Sequence, residues 1–213
     1  MGTKERRERE KQEIRAKILD AARELFATSG YDAVTMRMVA EKIEYSPTTI
    51  YLHWKDKQDL LHEICLTDFG ALAEAFQRIA RVTDPIERLK KIGMAYVKFG
   101  QEHPHHYRLM FMTPLPHPTV DPHEDGKGNP ERDAYAFLRV TIDQAIGEGR
   151  IRPDLKDPDL VTQIAWAGVH GIISLHLAMG TSPWVEWRPL KRTAETAIDL
   201  LIAGLVQGVP TRA

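Results

Sequence analysis

The chain has 213 residues, 43% of them hydrophobic, which is enough to bury the core of one domain or of two small ones. Its formal net charge is -1, so no overall basic excess marks it as a nucleic-acid binder, and its single cysteine, Cys65, excludes an internal disulfide. No apolar stretch approaches the length that spans a bilayer, and no signal-peptide pattern follows the charged N-terminus. We therefore expect a cytoplasmic protein without membrane contact.

The first two predicted helices are marked by their ends. Helix one carries one apolar face and ends at Ser29 and Gly30, where glycine can adopt the left-handed conformation of a C-terminal cap. Thr35 is a suitable N-cap for a helix over about residues 36–42, flanked by Val34 and Val39 at the spacing of a hydrophobic staple. The apolar face of helix one comprises Ile14, Ile18, Ala22, Leu25 and Phe26.

Two further helix starts follow within 15 residues. Ser46 followed by Pro47 predicts an N-cap with proline in the first helical position, where the missing N–H is not needed. Tyr45 and Ile50 have the spacing of a second staple around this start. Asp56 predicts the N-cap of a fourth helix.

The rest of the chain has the pattern of longer helices separated by proline and glycine. The segment 113–130 is rich in proline, glycine and charge and predicts a loop. The expected fold class is all-α, with a helix-turn-helix domain over residues 1–62 and a helical domain over residues 63–213. The remaining helices are predicted at about 66–81, 85–102, 104–112, 131–148, 157–179 and 188–206.

The two short helices, joined by a three-residue turn and braced by helix one, are typical of a helix-turn-helix unit. In such a unit the second short helix enters the major groove of DNA with its N-terminus first. The small hydroxyl and apolar side chains there can read base edges, and the flanking polar and basic side chains suit phosphate contacts. The predicted DNA-binding residues are Thr35, Arg37, Ser46, Pro47, Thr48, Thr49, Tyr51, His53, Lys55 and Lys57.

Charge supports this interpretation only locally. Residues 1–60 hold 12 Lys and Arg against 11 Asp and Glu, so any electrostatic footprint depends on where the charges lie. A basic N-terminal arm is either an ordered extension of helix one or a flexible tail, and a solvated mixed-charge segment is the competing interpretation. The basic residues of the arm are Lys4, Arg6, Arg7, Arg9 and Lys11.

The segment 35–61, TMRMVAEKIEYSPTTIYLHWKDKQDLL, resembles the DNA-binding signature of the tetracycline-repressor (TetR) family of bacterial transcription regulators. Trp54 occupies the aromatic position of the signature, and Glu44 departs from it because the family commonly has glycine in the turn. A non-glycine residue held in the left-handed conformation costs about 1–2 kcal/mol, so the turn is expected to differ in geometry. The matching residues are Thr35, Ala40, Ser46, Tyr51, His53, Lys57 and Leu60.

The resemblance implies that the remaining helices bind a small-molecule effector and form a dimer. The run WAGVHG over residues 166–171 resembles the Trp-x-x-x-His-Gly motif of one type of TetR C-terminal domain. A buried core histidine beside a packed tryptophan is the alternative to direct ligand contact. The predicted ligand-binding residues, suited to a hydrophobic or aromatic molecule, are Tyr96, Phe99, Tyr107, Met110, Phe137, Trp166 and His170, with Phe111 a further candidate.

Two rival functions are open at this point. A metal-binding or enzymatic protein could use the histidine-rich region 103–125, which holds HPHHY and, further on, His117, His123, Glu124 and Asp125. No HExxH, CxxC, phosphate loop or nucleophile elbow accompanies them, so we expect no enzyme, no bound metal and no cofactor. A nucleoid-type DNA binder without sequence preference is the second rival.

The predicted function is a ligand-responsive TetR-like regulator, most simply a repressor, that binds a palindromic double-stranded DNA operator as a homodimer. We expect residues 157–206 to hold the dimer, because helices that are apolar around most of their circumference must be covered. The alternative is that the other helices of the same subunit bury them. Small residues there would permit close approach: Ala165, Ala167, Gly168, Gly171, Ala197, Ala203 and Gly204. Larger ones would supply burial: Ile172, Leu175, Leu201 and Leu205.

Overall fold

The computed structural model describes residues 3–116 and 126–206, and within these ranges it has no strand beyond one antiparallel bridge between Ile151 and Val206. The all-helical class predicted from the sequence is confirmed. The described residues form α1 (Thr3–Ser29), α2 (Met36–Lys42), α3 (Pro47–Tyr51), α4 (Lys57–Gln77), α5 (Pro85–Glu102), α6 (Pro104–Phe111), α7 (Ala134–Gly147), α8 (Pro158–Met179) and α9 (Leu190–Leu205).

The internal contacts of the chain divide it into two units. The first comprises Met1–Phe69 and His105–Glu124, and the second comprises Gly70–Pro104 and Asp125–Ala213. The helix-turn-helix domain predicted over residues 1–62 lies within the first unit. The helical segment α6 clusters with this unit as well, although the sequence grouped it with the C-terminal helices.

The core of the first unit forms where the apolar face of α1 meets the helices that follow it. Ile18 and Phe26, from the predicted face of helix one, are fully buried, as are Ile50 of α3 and Leu60 of α4. Each such side chain contributes about 1.5–3 kcal/mol when it leaves water. The two short helices are therefore fixed by packing, since helices of five and seven residues are not stable alone.

Most predicted helix ends agree with the structure, because they were read from capping residues. Thr35 accepts a hydrogen bond from the Met38 N–H at 3.2 Å, and α2 has the predicted bounds. Gly30 has a φ of 80°, as expected of a left-handed cap. The two helices predicted after Asp56 are instead one continuous helix, α4, since residues 62–66 contain no proline or glycine to interrupt it.

The second unit packs α5, α7, α8 and α9 together, and glycine permits the closest approaches. A Cβ on Gly93 would lie 2.9 Å from Ile198 Cδ1, and one on Gly168 would lie 2.5 Å from Leu201 Cδ1. Gly168 thus serves contact between α8 and α9 within the subunit, not the dimer contact predicted for it. The buried Leu205 is likewise part of the subunit's own core.

Helix α8 corrects the expectation that no segment is long enough to span a bilayer. By length and composition it could do so, and among residues 3–116 and 126–206 it is the one helix that is both long enough and apolar enough. Core helices of soluble proteins have the same length and composition, so this is weak evidence for a span. Only 22% of its most apolar stretch is buried, so α8 exposes apolar side chains that need a cover.

Candidate nucleic-acid interface and effector site

The turn between α2 and α3 contains a residue in a strained backbone conformation. Glu44 has a φ of 61° and is the one non-glycine residue with positive φ in the described part of the chain. This conformation lets the Tyr45 N–H reach back to the Ala40 carbonyl at 3.0 Å and close the turn. Glu44 stands where the family commonly has glycine, and it keeps the left-handed backbone conformation at a cost in conformational energy.

The first turn of α3 presents small polar side chains to solvent. Ser46, Pro47 and Thr48 are exposed, and Thr49 is half-buried. Ser46 has the predicted N-cap backbone, but its side chain makes no capping bond, and its hydroxyl lies 3.2 Å from the Thr49 hydroxyl instead. These hydroxyls are arranged beside each other at the exposed end of the helix, where they can donate to or accept from base edges.

Two large side chains outside the predicted DNA-binding set, Leu52 and Tyr45, enlarge this surface beside the predicted Tyr51. Leu52 is 77% exposed, Tyr51 is 54% exposed and Tyr45 is 37% exposed, whereas Ile50 between them is fully buried. The sequence predicts Tyr45 only as part of a hydrophobic staple and gives no role to Leu52. The sequence does contain a signal for the exposure of Leu52, because Leu52 lies outside the helical repeat that buries Ile50 and Trp54.

Lys57 has an internal role that the sequence did not indicate. Its ammonium group donates to the Tyr31 carbonyl at 2.8 Å and the Val34 carbonyl at 2.9 Å, and it lies 4.1 Å from the centre of the Tyr31 ring. The side chain thus ties the start of α4 to the segment between α1 and α2. These two contacts engage two of the three N–H groups of the ammonium, and the phosphate contact of Lys57 stays a prediction.

Arg37, on α2, and Lys55, which follows α3, are both exposed. Arg37 donates to Glu41 at 2.7 Å, an exposed pair one helical turn apart, and this contact raises the pKa of the guanidinium group. Such pairs are weak in water, so the arginine can exchange its partner for a phosphate at little cost. The N-terminal arm belongs to α1, which supports the ordered extension over the flexible tail.

A polar network braces α3 against α1 and α4. The buried Trp54 donates its indole N–H to Glu63 at 2.7 Å, and Arg15 binds the same carboxylate while its guanidinium lies 4.6 Å from the Trp54 ring centre. The neighbouring His53 is half-buried, and burial together with the positive Arg15 and Lys11 lowers its pKa. His53 is therefore a neutral side chain at pH 7, which suits packing more than attraction to phosphate.

In the second unit three of the predicted ligand residues form one hydrogen-bonded group. The Trp166 indole N–H donates to the Tyr96 hydroxyl at 2.9 Å, and that hydroxyl lies 3.1 Å from His170 Nδ1. Tyr135 packs edge-on against Trp166, with ring centres 6.0 Å apart. Burial lowers the pKa of His170, so the imidazole is neutral at pH 7.

The other predicted ligand residues are distributed between the units. Phe99 and Phe137 are buried in the second unit, where Phe137 lies 6.2 Å from Phe76 between ring centres. Tyr107 and Met110 lie on α6 in the first unit, where Phe111 contacts both Tyr107 and Phe69. The seven predicted residues therefore do not form a single group within either unit.

The histidine-rich region gives no metal site in the described residues, where no group of three or more His, Cys, Asp or Glu side chains is placed to hold an ion. His106 instead lies 3.0 Å from the buried carboxylate of Asp68. The further candidates His117, His123, Glu124 and Asp125 lie outside the described residues.

These features define a helix-turn-helix DNA-binding protein with a separate helical unit that carries a buried polar group. A family model described as bacterial regulatory proteins, tetR family, matches residues 18–64, and one described as Tetracyclin repressor-like, C-terminal domain, matches residues 89–201. The second match alone spans more than half of the chain. The chain belongs to the TetR family of transcriptional regulators, whose members bind DNA and small-molecule ligands and act as dimers.

Curated relatives extend the similarity across both units. The HTH-type transcriptional regulator UidR of Escherichia coli K12 is 24% identical over 184 residues, which cover 74% of this chain and 89% of UidR. The HTH-type transcriptional repressor KstR2 of Mycolicibacterium smegmatis is 26% identical over 148 residues, covering 69% of this chain and 71% of KstR2.

Solved structures share the fold at lower identity. The fatty acid degradation regulator FadR from Bacillus halodurans aligns with a TM-score of 0.72 and 17% identity, over 88% of this chain and 94% of FadR. The ketosteroid transcriptional regulator KstR2 of Mycobacterium tuberculosis aligns with a TM-score of 0.64 and 19% identity, over 91% of this chain and 95% of that protein.

Proposed function

We propose that the chain is a ligand-responsive transcriptional repressor, which binds a palindromic DNA operator as a homodimer and leaves it when a small apolar molecule binds the second unit. The proposal depends on the exposed start of α3, a turn rich in hydroxyl groups that is held in place by the buried core of the first unit. Of the five residues of α3 only Ile50 is buried, so most of the helix faces solvent.

Base reading is assigned to Ser46, Pro47 and Thr48, with Tyr51 and Leu52 beside them. Hydroxyls at this position can bond to base edges, and the apolar surface of Pro47 and Leu52 can pack on thymine methyl groups. Lys55 and Arg37 flank this surface and supply phosphate contacts. Thr35, Thr49, His53 and Lys57 act mainly by holding the helices, since each is engaged in or half-buried by the fold.

Dimerisation is assigned to the exposed apolar stripe of α8 and the exposed face of α9. On α8 the stripe repeats every three or four residues, and its large members include Leu175, which is 55% exposed. On α9, Leu200 is 69% exposed, and Gly204 has nothing within 4 Å of where its Cβ would be. An isologous contact of both helices with a second copy would cover these surfaces. The stripe of α8 comprises Leu160, Ile164, Ala167, Gly171, Leu175 and Ala178.

The effector is assigned to the second unit, around Trp166 and His170. One structural neighbour is named a fatty acid degradation regulator and another a ketosteroid transcriptional regulator, so lipid-derived molecules are the first class to test. An effector acts by favouring a dimer geometry in which the two reading helices no longer match major grooves about 34 to 36 Å apart.

The operator experiment selects genomic fragments with the full-length protein and sequences them. We expect a palindrome with half-sites about one helical turn apart or a multiple of it, and weak competition by random DNA. Equal competition by random DNA would favour the nucleoid-type alternative. Thr48→Val should change base preference at symmetric positions, whereas Thr28→Val, an exposed threonine on α1, is the control and should change none.

The effector experiment adds fatty acids, steroid ketones and their acyl derivatives to the protein bound to that operator. Release at concentrations that leave the fold intact supports the proposal. Retention on DNA with every compound that binds the protein would contradict ligand-induced release.

A further inference from the structure

The start of α1 extends beyond the core of the first unit. Residues 4–13 are all exposed, whereas Ile14 is half-buried and Ile18 is fully buried. At a rise of about 1.5 Å per residue, this exposed part of the helix is about 15 Å long. Because it buries no apolar side chain, what it can offer to a partner is charge.

Three basic residues, Lys4, Arg7 and Lys11, continue the face of α1 that packs on the core. They are three and four residues apart, and the same spacing leads on to Ile14 and Ile18. Residues at this spacing lie one above the other on a helix. This face of α1 is therefore apolar where the core covers it and basic where the core ends. Lys4, Arg7 and Lys11 are called the basic stripe below.

The ion pairs of the exposed part lie on the other side of the helix. Arg6 lies 3.4 Å from Glu10, and Arg9 lies 3.9 Å from Glu13, each pair one helical turn apart. Glu8, which lies beside the basic stripe, accepts a hydrogen bond from the glutamine one turn further on at 3.0 Å. The charges are thus sorted by side, which is not expected of a segment that is merely solvated.

The basic stripe lies on the side of α1 that faces the end of α3. One turn after Lys11, the Arg15 guanidinium lies 4.6 Å from the centre of the Trp54 ring. Burial is the main cause that lowers the pKa of His53, and the positive charges of Arg15 and Lys11 contribute to it. Lys11 is therefore close to His53, which follows α3 by two residues. The stripe begins beside the DNA-reading surface that is assigned to α3.

We propose that Lys4, Arg7 and Lys11 of each subunit bind phosphate groups of the DNA backbone beside the major groove that α3 reads. Duplex DNA carries one negative charge per about 1.7 Å of its axis, and the stripe carries three positive charges over about 10 Å, so the two surfaces are complementary. Phosphate contacts position a protein without reading the sequence, so the stripe raises the affinity for operator and random DNA alike. This inference rests on the proposed function only in placing α3 in the major groove.

The first experiment measures how salt changes the affinity of the full-length, effector-free protein for a random-sequence duplex. The stripe variant is Lys4→Gln/Arg7→Gln/Lys11→Gln. Its slope of log affinity against log salt should be shallower by about 5, because each lost phosphate contact removes about 0.9 and a dimer carries two stripes.

The matched control is Arg6→Gln/Arg9→Gln/Lys17→Gln, which removes the same charge from the other side of α1. Both variants should keep the far-ultraviolet circular dichroism of the wild type, because glutamine is a good helix former and all the replaced side chains are exposed. The control should change the slope less than the stripe variant does. An equal or larger change in the control would overturn the proposal, as would a wild-type slope in the stripe variant.

The second experiment needs no substitution, because α1 carries lysines on both sides. Lys4 and Lys11 belong to the basic stripe, whereas Lys17 is exposed on the other side. Acetylation of the three amino groups is measured by mass spectrometry, at low salt, with and without a saturating random-sequence duplex. Bound DNA should slow the acetylation of Lys4 and Lys11 by roughly threefold or more and that of Lys17 by less than about twofold. Equal protection of the three lysines, or no protection of Lys4 and Lys11, would overturn the proposal.

Both experiments use random DNA, so their result does not depend on an operator or an effector. If no operator is found, the basic stripe is tested all the same. If the operator and the effector behave as proposed while the stripe variant keeps the wild-type slope, only the assignment of the stripe fails.

Discussion

Replacing Glu44 with glycine should stabilise the protein, because Glu44 occupies a left-handed conformation that glycine adopts freely. The φ of 61° places its Cβ close to the carbonyl oxygen, at a cost of about 1–2 kcal/mol. Glycine removes this cost but has more freedom in the unfolded chain, which offsets about 0.4–1 kcal/mol. The free energy of unfolding should therefore rise by roughly 0.8 kcal/mol, the difference between the two mid-range values.

The assay is urea unfolding of the full-length protein at one fixed concentration, followed by far-ultraviolet circular dichroism. For a chain of this size the same change corresponds to an increase in melting temperature of about 2–3 °C. Glu44→Ala is the matched control, because alanine keeps the Cβ and the strain but removes the carboxylate. We expect it to leave stability within about 0.5 kcal/mol of wild type.

Two outcomes would refute the reasoning. If Glu44→Ala stabilises as much as Glu44→Gly, the gain comes from removing a negative charge close to Glu41 and not from the backbone. If Glu44→Gly destabilises the protein, the left-handed turn is not strained in the way that its φ indicates.

Three further predictions concern other parts of the molecule. Lys57→Met should lower the free energy of unfolding by about 1–3 kcal/mol, because it removes the donor to two carbonyls. Lys55→Met should change stability little and lower the slope of DNA affinity against salt by about one. The opposite pattern would contradict the assignment. Gly204→Arg should give a folded monomer of about 24 kDa by light scattering, whereas Glu195→Arg on the same helix should stay dimeric. A dimeric Gly204→Arg would exclude the face of α9 around Gly204 as the dimer contact. Burial lowers the pKa of His170, so below its ordinary value of 6.5 the unfolded chain binds more protons than the folded one, and stability should fall as the pH decreases below 6.5. The fall should be less steep in His170→Asn, and equal slopes in urea unfolding would show that His170 is not involved.

Helix positions were largely predictable because their signals are local. Thr35 and Asp84 each cap the helix that follows through their own backbone neighbours, so a few adjacent residues contain the information. The continuous α4 was missed where local signals are absent. Nothing in residues 62–66 either starts or ends a helix, so the division there had no physical basis.

The roles of individual side chains were less predictable, because they depend on residues far apart in the chain. Lys57 was assigned to phosphate from its type and position, but its partners are carbonyls 23 and 26 residues away. Gly168 was read as a place where a second subunit could approach, but Leu201 of the same subunit occupies that space. A small residue in the sequence indicates that another helix can approach closely, but it does not indicate which helix that is.

The least predictable feature is a buried ionic group that joins three helices of the first unit. Arg23 of α1 is 4% exposed and donates to both carboxylate oxygens of the fully buried Asp68 of α4, at 3.0 Å and 2.9 Å. His106 Nδ1 of α6 lies 3.0 Å from the same carboxylate. Removing one partner of such a pair typically costs about 3–5 kcal/mol, because the remaining charge stays buried. It follows that α1 and α4 cannot separate at this point without a large loss of stability, so the Arg23–Asp68 pair holds these two helices of the first unit as one rigid support.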